Sequence, residues 1–151
     1  MNKEELYLAE DNLAAEIEEI SEFVFNHAEL GSEEFKSCKY LVEKLKEHGF
    51  TVTCPYLDLD TAFRAELYCG EGPKVAVLPE YDALPGLAQE PVSRHCPKEG
   101  PGHGCGHNLL GTACAGAAVA LKERMEREQI SGTVRVYGCP AEEIVIGKIR
   151  M

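Results

Sequence analysis

Cys105 and His107 stand two residues apart in Gly102-His103-Gly104-Cys105-Gly106-His107-Asn108, and a strand-like run further on ends in Pro140-Ala141-Glu142-Glu143. Thiolate and neutral imidazole both bind zinc well. Glycines on either side let the backbone wrap close to an ion. A helix starting just beyond would favour the thiolate through the positive end of its dipole. Adjacent carboxylates diverge from the backbone, so beside a cation one can ligate it while the other faces a bound water as a general base. Spacing alone does not say which glutamate takes which part. Asp82, in Glu80-Tyr81-Asp82, suits a supporting role, because ligating histidines usually donate their other N–H to a carboxylate or carbonyl. His103 is a further candidate ligand. Each residue also has a plain structural alternative: a packed thiol in a Gly-rich turn, a solvated acidic pair, an aspartate capping a turn before Pro85. A lone Cys-x-His lacks the four-ligand spacing of a structural zinc site. A serine-nucleophile motif, a P-loop and a dinucleotide glycine fingerprint are absent.

These groups converge only if the chain's elements bring them together. From about Glu4 to Asn26 the pattern is helical, with Leu13, Ile17, Ile20 and Val24 on one face. His27-Ala28-Glu29-Leu30-Gly31 interrupts it. A second helix is expected from near Ser32 as N-cap, with Glu33 and Glu34 in its first turn, Phe35, Leu41 and Leu45 supporting it, and Gly49 closing it. Period-two alternation then marks strands at 50–54 and 61–69, and Gly70-Glu71-Gly72-Pro73 reads as the turn of a hairpin to the next strand. Val75-Ala76-Val77-Leu78 is continuously apolar, as a buried central strand would be. Residues 79–104 read as a long loop, of the kind that is usually functional or disordered. A helix over about Leu109–Arg127 follows, with Gly111, Ala115, Gly116 and Ala118 making one side small for close packing. Thr133–Tyr137 is the last strand. The expected fold is α/β, a layered domain with a mixed sheet flanked by helices. Loops beyond the carboxyl ends of such strands are where ligands bind, so Glu80–Asp82 and Glu142–Glu143 meet if their strands are parallel neighbours.

Composition fits one globular domain of 151 residues with 44% hydrophobic and 27% charged content. The net charge of −11 argues against nucleic acid or an anionic membrane as partner. No apolar run spans a bilayer, and no export signal stands at the start, so the expected location is cytoplasmic. The seven cysteines show no framework spacing and are read as reduced thiols.

Three segments together resemble a family. Glu80-Tyr81-Asp82-Ala83-Leu84-Pro85-Gly86, Gly102–Thr112 and Gly132–Glu143, with His27-Ala28-Glu29-Leu30-Gly31 ahead of them, are similar to the aminoacylase/carboxypeptidase-type zinc metallopeptidases, the M20 peptidase family. Within it they resemble the amidohydrolase branch that includes aminobenzoyl-glutamate utilisation proteins. The resemblance runs over nearly the whole chain. It implies the N-terminal part of a zinc-exopeptidase catalytic domain holding two divalent ions, zinc or manganese, in the complete enzyme. It implies metal ligands at Cys105, His107 and Glu143, the general base at Glu142, and a supporting Asp82. It also implies hydrolysis of N-acyl or aminobenzoyl amino acids or small peptides, and homodimerisation through a lid domain.

Two departures stand out. Ile144-Val145-Ile146 follows the glutamates where the family usually has glycines, and further histidine ligands and the lid are expected beyond residues 1–151. An isolated chain of this kind is expected to be weakly active or inactive. The alternative functions are a non-catalytic metal or thiol module, or a shortened paralogue that associates with a full-length subunit.

Overall fold

A computed structural model describes residues 3–151. Its elements run α1 (Lys3–Asn26), α2 (Phe35–Glu47), β1 (Thr51–Thr53), β2 (Phe63–Tyr68), β3 (Lys74–Val77), α3 (His107–Glu128), β4 (Thr133–Gly138) and α4 (Gly147–Arg150). The four strands form one sheet in the order β1-β2-β4-β3. β1 and β2 are antiparallel, as are β2 and β4, while β3 and β4 are parallel. The sheet is mixed, as the element pattern predicts.

Alternation along the strands sets the layers. Phe63, Ala65, Val134 and Val136 are buried in one cluster with Leu13, Ile20 and Val24 of α1, Leu41 and Leu45 of α2, and Ala115, Ala118 and Val119 of α3. Removing such apolar side chains from water contributes about 1.5–3 kcal/mol each for the larger ones. The intervening strand residues carry the polar groups, with Arg135 Nε donating to Glu66 Oε2 across β2 and β4 at 2.6 Å.

Four local expectations are corrected. First, β2 and β3 form no hairpin. The turn after β2 instead lies against the residues leading into β4: Cys69 N–H donates to Gly132 O and Thr133 N–H to Pro73 O. β4 lies between the two strands, with Val134 and Val136 in the core, so β2 and β4 are the interior strands. Second, β3 is accordingly an edge strand, with Val75 49% and Leu78 46% exposed. A continuous apolar run signalled a strand that is buried on both faces, and here it is not. Third, α2 starts at Phe35 rather than near Ser32, whose φ is +71°. The helix is capped by Glu29, whose carboxylate accepts from the backbone N–H of Lys36 and Ser37. Phe35 itself is exposed and Glu34 is fully buried. α3 also begins two residues earlier than expected, at His107 itself.

Candidate metal centre

The parallel pairing of β3 and β4 continues past both strand ends. Cys139 N–H donates to Pro79 O at 2.9 Å, and Glu80 pairs with Cys139 as an isolated parallel bridge. The loops carrying Glu80–Asp82 and Glu142–Glu143 therefore leave the sheet side by side. Between these strands the chain passes through α3, whose first residue is His107. Gly106 precedes it in the left-handed region, at φ +80°, where a residue with a side chain is strained. Gly111, one turn on, rests on the Glu80 carbonyl so closely that a Cβ would lie 2.8 Å from its oxygen. That close approach seats α3 on the loop after β3.

Asp82 organises the result. It is 1% exposed, and its Oδ1 accepts from His107 Nδ1 at 2.9 Å, with the Asp82 carbonyl 3.0 Å from the same nitrogen. Its Oδ2 accepts from the backbone N–H of Glu143 at 2.9 Å. One carboxylate thus fixes both an imidazole on α3 and the loop after β4. With the Nδ1 proton held by Asp82, the lone pair available for a ligand is on Nε2. Hydrogen bonding to Asp82 outweighs burial and raises the His107 pKa.

Two groups of donor atoms form around His107. In the first, Cys105, His107 and Glu143 each offer an atom, all within 4.8 Å of one another; in the second, Glu80, His107 and Glu142 do the same. Glu143 Oε1 is buried with no hydrogen-bond partner. An unpaired buried carboxylate oxygen is costly, and a cation between it and the thiol would satisfy it. The sulfur–nitrogen–oxygen set suits zinc, and the oxygen-richer set suits manganese as well. The donor chemistry therefore fits divalent metal.

The neighbourhood acts on the thiol in the direction opposite to the helix-dipole expectation. Desolvation first, then the negative charges of Glu143 and Glu142, raise the Cys105 pKa. Both act against the thiolate, and a bound cation would favour it. His103 stays outside both donor groups: its Nε2 lies 3.0 Å from the Val24 carbonyl, its Nδ1 is buried without a partner, and burial lowers its pKa.

Three residues in or behind the site carry roles that sequence reasoning did not assign. Glu80 Oε2 lies 3.0 Å from His107 Nε2. The alternation of Glu80 with Asp82 just past a strand end was the available signal. Lys148, on α4, contacts Glu80, and nothing in its sequence context marked it. Glu34, from the start of α2, supports the glutamate loop from below. Its Oε1 accepts from Ala141 N–H at 2.7 Å and Ser32 N–H at 2.8 Å, and its Oε2 from the Thr61 hydroxyl at 2.8 Å. Ala141 has φ +53°, a strained conformation that this buried carboxylate helps hold.

No family model matches the chain. It is 44% identical over 136 residues to one subunit of the p-aminobenzoyl-glutamate hydrolase of Escherichia coli, covering 88% of this chain and 28% of that protein. It is 28% identical over 137 residues to the N-acetyl-L-cysteine deacetylase of Bacillus subtilis, covering 87% of this chain and 31% of that protein. Among solved structures, a dinuclear metal binding peptidase from the M20 family of Bacillus subtilis superposes with a TM-score of 0.79 at 28% identity, over 93% of this chain and 38% of that one. The chain thus spans about a third of the length of these relatives. None of the helices among the described residues is long and apolar enough to cross a membrane.

Proposed function

Because this chain is related in sequence and fold to the M20 peptidases, we propose that residues 1–151 are the N-terminal part of a metal-dependent amidohydrolase catalytic domain, acting on N-acyl or aminobenzoyl amino acids or small peptides. The observation that carries the reading is the meeting of Cys105, His107 and Glu143 within 4.8 Å, from a loop, a helix start and a strand end. Cys105, His107 and Glu143 are its metal ligands. Zinc or manganese bound there would polarise an amide carbonyl and acidify a water.

The chain's own residues do the rest. Asp82 holds the Nδ1 proton of His107 and leaves Nε2 free to ligate. It also holds the Glu143 backbone, so imidazole and carboxylate keep a fixed spacing. Glu142 is the general base. Its carboxyl is part-exposed and 3.8 Å from His107 Nε2, at the mouth of the site rather than within its buried floor. It takes a proton as water oxygen bonds to the amide carbon. It returns that proton to nitrogen as the carbon–nitrogen bond breaks, giving a carboxylic acid and an amine, and the acid's proton passes to the amine so that they leave as carboxylate and ammonium.

Three ligands do not complete two coordination spheres. We read the remaining ligands, the lid and a homodimer interface as features of a longer parent, and expect little turnover from these residues alone. The acidic, thiol-rich composition suits a cytoplasmic location. The test is Glu142→Gln in the parent enzyme. Hydrolysis of aminobenzoyl-glutamate and of N-acetyl amino acids should fall by about 10²-fold or more with bound metal unchanged. Retained hydrolysis would refute the base, and lost metal would make Glu142 a ligand.

A further inference from the structure

Lys148 is the cation among the described residues at the site, and this chemistry has no use for it. It sits on α4, beyond the Ile144-Val145-Ile146 segment. Its ammonium contacts Glu80 Oε1 and lies 3.9 Å from Glu142 Oε1. The other oxygens of the same two carboxylates face His107 Nε2, at 3.0 Å and 3.8 Å. Imidazole and ammonium thus contact different oxygens of the Glu80–Glu142 pair. Gly147 fixes the approach, since a Cβ there would collide with the Pro140 carbonyl, so α4 is seated on the glutamate loop itself.

Charge explains the arrangement. Glu80, Asp82, Glu142 and Glu143 all lie within 3.8 Å of a His107 ring nitrogen. Carboxylates gathered so closely repel one another unless a cation stands among them. Lysine is suited to a temporary place there: a compact charge on a flexible stem. Its side chain is 41% exposed, so it has an open path to solvent.

We propose that Lys148 is a tethered cation occupying the oxygens of the Glu80–His107–Glu142 group, and that a divalent ion enters this group only by displacing the ammonium. The inference rests on the metal-centre reading above, and the two donor groups compete for the one Nε2 lone pair of His107 but differ in their spectrum. Only the group containing Cys105 gives a thiolate-to-metal absorbance.

The experiment titrates the full metal-free chain with Cd²⁺, followed by ultraviolet absorbance and by calorimetry, for the parent, Lys148→Met, Lys148→Arg and a remote charge control, Lys122→Met. Binding without the thiolate band should tighten about tenfold or more in Lys148→Met, the least expected for removing a unit charge about 4 Å from a partly exposed cation site. It should stay weak in Lys148→Arg and Lys122→Met. Binding with the thiolate band should not tighten, because Lys148 touches neither Cys105 nor Glu143 and both groups draw on the one Nε2 lone pair of His107. The proposal is overturned if Lys148→Met leaves the band-free class unchanged, weakens it or shows none, or if Lys122→Met tightens it equally. Absence of the thiolate band in every variant would instead sink the Cys105 assignment. Comparing the calorimetry of the parent with that of Lys148→Met would still decide the role of the lysine.

Discussion

Replacing Asp82 with Asn changes one atom at the most constrained point of the site. The carboxylate accepts from Glu143 N–H and from His107 Nδ1, both at 2.9 Å, in full burial. Asn has one acceptor oxygen. If that oxygen keeps the Glu143 N–H, its amide N–H faces His107 Nδ1, and the residue-82 carbonyl at 3.0 Å is the one acceptor left for the Nδ1 proton. The tautomer with its proton on Nε2, which offers a metal no lone pair there, is then favoured relative to the parent. Losing one buried charge-assisted hydrogen bond should cost about 1.5–3 kcal/mol of stability. For a chain of this size, each kcal/mol is about 2–4 °C in Tm. Divalent-metal affinity should fall about 10–100-fold, since the orienting partner of the ligand is lost.

The stability loss has a pH signature. The His107 pKa is raised above the ordinary histidine value of 6.5. A group whose pKa is raised on folding stabilises fully below its unfolded value, and that stabilisation is lost as pH rises through the folded value. The advantage of the metal-free parent over Asp82→Asn should therefore be larger at pH 6 than at pH 9. Urea denaturation in chelator, followed by circular dichroism across that range, reads it directly. A variant as stable as the parent, or a gap that widens with pH, would refute this account of Asp82.

Glu34 gives the converse case. Burial raises its pKa, so the parent carries an unfavourable charge as pH rises. Glu34→Gln can serve both backbone N–H groups through its oxygen and the Thr61 hydroxyl through its amide. It should gain on the parent between pH 4 and pH 8, whereas Glu34→Ala should lose about 2–4 kcal/mol at either pH by orphaning buried donors; urea midpoints check both. Gly111→Ala sets about 1 kcal/mol of helix propensity against a Cβ 2.8 Å from the Glu80 carbonyl. The clash should win by about 1–2 kcal/mol in thermal unfolding, and divalent-metal binding should weaken as the Glu80 loop moves.

Much of the site was legible because its parts are local. Cys105 and His107 are fixed by a glycine turn and a helix start, and Asp82 and the Glu142–Glu143 pair each follow a strand. A helix between two strand-like runs made parallel neighbours the natural arrangement, and parallel pairing is what brings the loops together. What was hidden depends on tertiary packing. The position of β3 at an edge follows from where β4 inserts, which hydrophobic runs do not encode. Glu34 looked like a helix-start carboxylate, and its burial arises only when Thr61 and Ala141 arrive from 27 and 107 residues away. Glu29 capping α2 from outside the helix escaped for the same reason. The desolvation and the carboxylates that raise the Cys105 pKa were hidden too, because they come from groups adjacent only in space, while the helix end is adjacent in sequence.

X-ray absorption on the chain loaded with one equivalent of zinc tests the central claim most directly. The account predicts one sulfur neighbour at about 2.3 Å among nitrogen and oxygen neighbours, with the sulfur lost in Cys105→Ser. A shell with no sulfur, or a sulfur that survives Cys105→Ser, would contradict it.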